Sequence, residues 1–183
     1  SLIDHTLKTN YFLQTKTGLA FRISSDVLNS KFYPNKPFGI FFIVGRGYRF
    51  FHVRWKDIAR GGLRVVMPRT ASDYDYALAG SFDEVYGLSF AQQLKNKDIP
   101  EGGSKGVLVL KPDGHRLQAV RGAVNAMLDI LVAKDESDDK QAAPLISYYD
   151  KEEIIYLGPD ENITNDLIEW IPVQAQRRGY RYA

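Results

Sequence analysis

Over residues 17–24 the apolar side chains Leu19, Phe21 and Ile23 recur at every second position. That period predicts a strand with one buried face. Residues 38–44 are apolar throughout, as a strand covered on both faces would be. Gly45-Arg46-Gly47 supplies a turn, and residues 48–55 resume as an aromatic-rich strand, an enrichment that pleated surfaces favour. These segments predict a three-stranded start.

Beyond Pro68 the period lengthens. Thr70 and Asp73 have the spacing of a capping box, and Leu78, Phe82, Val85, Tyr86 and Ser89 fall on one helical stripe that runs to about Gln93. Residues 106–110 form a short apolar run between Gly102-Gly103 and Pro112-Asp113-Gly114, which brackets a buried strand. Leu117, Val120, Val124, Met127, Leu128 and Leu131 then repeat at helical spacing, before an acidic stretch at 135–139 that reads as a solvated loop. Residues 154–157 are a short strand candidate. A helix is expected from Thr164 until Pro172, which lacks an N–H and should kink or restart it. Strands alternating with helices in the second half predict an α/β layered domain, and the strand-rich start makes its sheet mixed and only partly parallel.

Composition narrows the function. The chain has 183 residues, near the size of one domain, with 44% hydrophobic and 25% charged residues, which excludes disorder and fibrous repeats. A net charge of +2 gives no support to a polyanionic partner, so nucleic acid is not expected. The run at 38–44 falls far short of the roughly 18 to 20 apolar residues that span a bilayer. No cysteine is present, which fits a reducing cytosol, and His5, His52 and His115 share no metal-ligand spacing. His52 is expected on a strand face.

Four segments can carry chemistry. Gly45-Arg46-Gly47 begins like a dinucleotide fingerprint, but Phe50 occupies the place of the third glycine and a strand follows, so a hairpin turn is the better account. Ala59-Arg60-Gly61-Gly62-Leu63-Arg64 joins paired glycines, which allow close backbone approach, to guanidinium forks that grip carboxylates; taken alone it reads as a basic turn. Asp98-Ile99-Pro100-Glu101-Gly102-Gly103-Ser104-Lys105-Gly106 brings a lysine into an apolar strand, where partial desolvation lowers its pKa. A surface lysine after a turn is the plainer alternative, and the P-loop pattern does not fit. In Gly158-Pro159-Asp160-Glu161-Asn162 a carboxylate follows a strand, where α/β folds line ligand crevices, although such residues also cap helices.

In this order, the last three segments resemble the substrate-binding half of the glutamate dehydrogenase family of amino-acid dehydrogenases. The likeness extends through Leu7-Lys8-Thr9-Asn10-Tyr11-Phe12 and Arg177-Arg178-Gly179-Tyr180-Arg181-Tyr182, is closest to the large NAD-specific members, and covers nearly the whole chain. The resemblance implies that Lys105 is the family's catalytic lysine, in its Gly-Gly-x-Lys-Gly motif, and that Asp160 exchanges protons with the substrate's amino group. Arg60 falls where glutamate-specific members carry a lysine for the side-chain carboxylate, with Gly61 and Gly62 beside it. Three positions depart from the small members. Gln93 stands where they place a second substrate-binding lysine, and Phe90 stands at their glutamine position; Gln93 supplies hydrogen bonds but no charge, leaving Lys95 or Arg64 as the cation for the α-carboxylate. Pro159 also replaces a frequent glycine.

The resemblance further implies oxidative deamination of L-glutamate to 2-oxoglutarate and ammonia with NAD, no metal, a homo-oligomeric complete enzyme and a cytoplasmic location. No Gly-x-Gly-x-x-Gly lies between a strand and a helix, so residues 1–183 are expected to be a substrate-binding fragment without the Rossmann domain, inactive alone. A dehydrogenase for another amino acid, or a noncatalytic dicarboxylate-binding or oligomerisation module, are the alternatives.

Overall fold

The computed structural model describes residues 1–132, 146–147 and 151–183. Its strands are β1 (Thr6–Thr9), β2 (Leu19–Ile23), β3 (Gly39–Gly45), β4 (Tyr48–Arg54), β5 (Ile58–Val66), β6 (Gly102–Leu110), β7 (Ile146–Ser147) and β8 (Ile154–Pro159). They form one eight-stranded sheet in the order β7-β1-β2-β3-β4-β6-β5-β8. The run from β7 to β6 is antiparallel, whereas β5 lies parallel to both β6 and β8. The sheet is therefore mixed and partly parallel, as the sequence predicts. The acidic stretch at 135–139 lies outside the described residues.

Helix α1 (Ala71–Lys95) covers one face; α2 (Arg116–Leu131) and α3 (Asn165–Arg177) cover the other. Thr70 caps α1, its hydroxyl accepting the Asp73 N–H at 3.1 Å. Ser81, Val85 and Ser89, spaced by four, are fully buried. Two of the three are small, so the helix lies close on the sheet. The closest approach is at Gly103, where a β-carbon would meet the Gln93 backbone nitrogen at 2.1 Å. The turn at Gly45-Arg46-Gly47 joins β3 to β4, with Gly47 at φ +79°, the left-handed region that glycine tolerates.

Four expectations are corrected. The strand-rich start has five members rather than three, β1 and β5 being added, and β6 begins at Gly102 rather than after the glycines. Ala59-Arg60-Gly61-Gly62-Leu63-Arg64 is not a turn but the middle of β5, an interior strand paired on both sides. Helix α3 runs through Pro172 to Arg177. Pro172 costs the bond to the Ile168 carbonyl, yet Leu167 and Ala175 on either side are buried in the core that α2 shares, and this burial holds the helix together.

On the face covered by α2 and α3 the sheet buries an ionic cluster. Glu153, just before β8, accepts from Arg22 Nε at 2.7 Å and from Arg54, and Lys8 stands 3.9 Å away. His52 is fully buried beside it on a strand face, as expected, and neither ring nitrogen has a hydrogen-bond partner among the described residues.

Candidate active site

Lys105 on β6 and Asp160 at the end of β8 flank β5 and form an ion pair across it. The register makes this meeting possible. Arg60 aligns with Gly103 and Tyr156, and Leu63 with Gly106 and Pro159, so Gly62 falls between Lys105 and Gly158. A β-carbon on Gly62 would stand 2.9 Å from Asp160 Oδ2 and 3.3 Å from Lys105 Nζ. Gly62 thus floors a trough bounded by the amine and the acid. Gly61, pointing the other way, would place a β-carbon 1.8 Å from the Ser104 carbonyl oxygen. One glycine opens the site and the other lets the strands approach.

Lys105 is largely buried, while Asp160 is 40% exposed. Desolvation lowers the lysine's pKa, and the Arg64 guanidinium adds to this; Glu84 and Glu161 act in the opposite sense. Asp160 is aimed by its own loop. Its Oδ1 accepts the Glu161 N–H at 2.8 Å, which leaves Oδ2 for Lys105. That loop is pinned to β5: the Val65 N–H donates to the Glu161 carbonyl at 3.0 Å, and the Asn162 side chain donates to the Val65 carbonyl at 2.8 Å. Asn162 takes a left-handed φ of 62°, which short polar side chains tolerate.

The other residues singled out in the sequence divide into two groups. Arg60 is exposed, shares the alternation of Gly62 and Arg64 along β5, and makes no ion pair among the described residues. Lys95 ends α1, exposed and likewise without an ion pair among the described residues. Arg64 and Gln93, by contrast, are engaged within the protein. Arg64 Nε donates to Glu161 at 2.7 Å and its Nη1 to Glu84 on α1 at 2.5 Å. The Gln93 side-chain oxygen accepts the Gly103 N–H at 2.8 Å, so Gln93 joins helix to strand. Phe90 lies with its ring centroid 4.9 Å from that of Trp55. The sequence reading missed Glu84, which no spacing rule ties to Arg64.

An apolar cavity of about 340 Å³ lies on the opposite side, under α2 and α3, lined by residues such as Leu63, Met127, Ile155 and Tyr180. Among the described residues no charged side chain lines it.

Residues 1–140 match the family model described as the catalytic domain of bacterial NAD-glutamate dehydrogenase. The class is thus that of the amino-acid dehydrogenases whose motifs the sequence carries. The chain belongs to the bacterial NAD-glutamate dehydrogenase catalytic-domain family. It is 45% identical over 176 residues to the NAD-specific glutamate dehydrogenase of Neurospora crassa, covering 94% of this chain and 16% of that protein. Glutamate dehydrogenase 2 of Dictyostelium discoideum is 40% identical over 181 residues, covering 97% and 16% respectively. The NAD-specific enzyme of Saccharomyces cerevisiae is 42% identical over 178 residues, covering 94% and 16%. The chain therefore spans about one sixth of the length of these relatives.

Proposed function

We propose that residues 1–183 form the substrate-binding part of an NAD-dependent glutamate dehydrogenase. The observation that carries this reading is the Lys105–Asp160 pair over the Gly62 floor. Its chemistry suits an α-amino acid. Asp160, exposed enough to exchange lysine for substrate, takes a proton from the α-ammonium and frees a nitrogen lone pair. When bound, NAD accepts the hydride that leaves Cα. Lys105, its neutral form favoured by burial, then takes the proton of the water that attacks the iminium carbon, and return of a proton to the nitrogen of the resulting carbinolamine lets ammonia depart and leaves 2-oxoglutarate.

Arg60, exposed and uncommitted, is assigned to the side-chain carboxylate of glutamate, a cation for an anion. Because Arg64 is held by Glu84 and Glu161, Lys95 is the cation we assign to the α-carboxylate. Among the described residues no strand–glycine turn–helix offers a pyrophosphate site, so a second domain of the dehydrogenase holds the dinucleotide. No described helix is long and apolar enough to cross a membrane. The reading includes a cytoplasmic, homo-oligomeric enzyme.

The test uses the complete dehydrogenase. Lys105→Ala should lower kcat by about a thousandfold. Arg60→Leu should damage glutamate use far more than norvaline use. Unchanged turnover in the first variant would leave a binding or assembly module, and equal losses in the second would remove the side-chain role. Robust glutamate oxidation by the 183-residue chain alone would contradict the division into two domains.

A further inference from the structure

We propose that Arg64 is a positioning residue: by bridging Glu84 on α1 to Glu161, the residue after Asp160, it holds the Asp160 loop on β5 with the carboxylate facing Lys105. The inference rests on the Lys105–Asp160 reading above and goes past it, because Arg64 now serves the protein's own acids rather than a substrate anion.

Three observations carry it. First, the guanidinium uses two different nitrogens for two carboxylates on two elements, Nε for Glu161 at 2.7 Å and Nη1 for Glu84 at 2.5 Å. An ammonium is a point charge and lacks this forked geometry. Secondly, β8 is an edge strand, and its last residues are held to the sheet by β5 alone. Among the described residues the fastenings to β5 after Pro159 are the two Val65 bonds and the Arg64–Glu161 pair, all on one short stretch, beside the Lys105–Asp160 pair to β6. Thirdly, Arg64 and Glu84 are partly buried, at 32% and 34% side-chain exposure, while Glu161 is exposed at 56%. Screening weakens each pair taken singly, but a bridge between two elements gains from both at once.

The charged groups facing Lys105 are then accounted for by element. Arg64 comes from β5, Glu84 from α1, and Asp160 with Glu161 from the loop that follows β8. Withdrawing Arg64 has two effects on the amine. It removes a repulsive cation, and it releases the loop that carries the attractive acid. A coupling measurement separates the two, because the direct field of Arg64 is constant within each background.

The experiment is a double-mutant cycle on the complete dehydrogenase, reading the rate at which acetic anhydride labels Lys105 at mildly alkaline pH by mass spectrometry of the Lys105 peptide. In the parent background, Asp160→Asn should speed labelling by about tenfold, because the ammonium loses its counter-ion. In the Arg64→Gln background the same substitution should change the rate by less than about threefold. Arg64→Lys, which keeps the charge without the fork, should fall between them. Glu161→Gln, an exposed change that cannot undermine the core, should weaken the coupling as Arg64→Gln does. An undiminished tenfold effect in the Arg64→Gln and Glu161→Gln backgrounds overturns the positioning role and leaves the lysine–acid pair standing. No effect of Asp160→Asn in the parent overturns both.

Discussion

Gly62 and Asp160 are set so close that a β-carbon on the glycine would stand 2.9 Å from the carboxylate oxygen that faces Lys105. The obstruction is the Asp160 side chain, its Oδ2 at 2.9 Å and its Cβ at 3.0 Å, so the exposed loop that carries it must give by a few tenths of an ångström. Gly61 differs, since its β-carbon would fall 1.8 Å from a backbone carbonyl of the neighbouring strand. Gly62→Ala should therefore leave folding within about 1 kcal/mol of the parent, as urea denaturation would show. It should lower kcat/KM of the complete dehydrogenase by at least about a hundredfold through the displaced acid. Gly61→Ala should instead cost several kcal/mol of stability, roughly 2 to 4, because the ladder itself must open. Similar stability losses for both would refute the division of labour.

Gly103 carries the contact between α1 and β6. With a β-carbon it would meet the Gln93 nitrogen at 2.1 Å and the Gln92 carbonyl carbon at 2.7 Å, both helix backbone atoms that cannot rotate away. Gly103→Ala is expected to lift the last turn of α1, destabilise the chain by roughly 2 to 4 kcal/mol and expose amides near Lys95 to hydrogen exchange. Unaltered exchange there would show that the helix end does not depend on this glycine.

What the sequence made legible follows from which forces are local. The helical stripe from Leu78 to Ser89 and the repeat from Leu117 to Leu131 declare α1 and α2, because amphipathic periods are written in neighbouring positions. Gly45-Arg46-Gly47 was equally plain. β5 was hidden because its two arginines and two glycines interrupt the alternation of Ala59, Leu63 and Val65, and paired glycines usually signal a turn. Here they answer a tertiary demand, the approach of Ser104 on one side and the space beside Lys105 on the other. The fate of Arg64 was not readable for the same reason: its partners lie 20 and 97 residues away on elements whose packing no spacing rule gives. Gln93 likewise acquires its role only once Gly103 presents an N–H beside it.

Glu153 joins the start of β8 to the middle of the sheet. One of its oxygens is shared by Arg22 and Arg54, both essentially buried. Glu153→Ala withdraws that carboxylate from two guanidiniums and should cost about 3 kcal/mol or more in urea denaturation. A loss under about 1 kcal/mol would mean that the guanidiniums are satisfied without it.

His52 makes stability depend on pH in a direction that can be worked out. The ring is completely buried, and desolvation, reinforced by the Arg54 and Arg22 guanidiniums, pushes its pKa down from 6.5 to about 3. As pH falls below 6.5, the unfolded chain takes up a proton on this residue and the native chain does not. The stability present above that value is therefore lost on acidification, at up to about 1.4 kcal/mol per pH unit, until the native ring also protonates. Carboxylate pairs add their own losses at lower pH, so the informative window lies between about pH 7 and about pH 5. His52→Phe, an aromatic exchange at a site whose ring centroid already lies 6.0 Å from that of Phe41, removes the proton but keeps the bulk. Urea unfolding free energies across the window should therefore fall more steeply with acid for the parent than for the variant. Parallel slopes would show that the native ring accepts a proton as readily as the unfolded one, and the burial argument would fail.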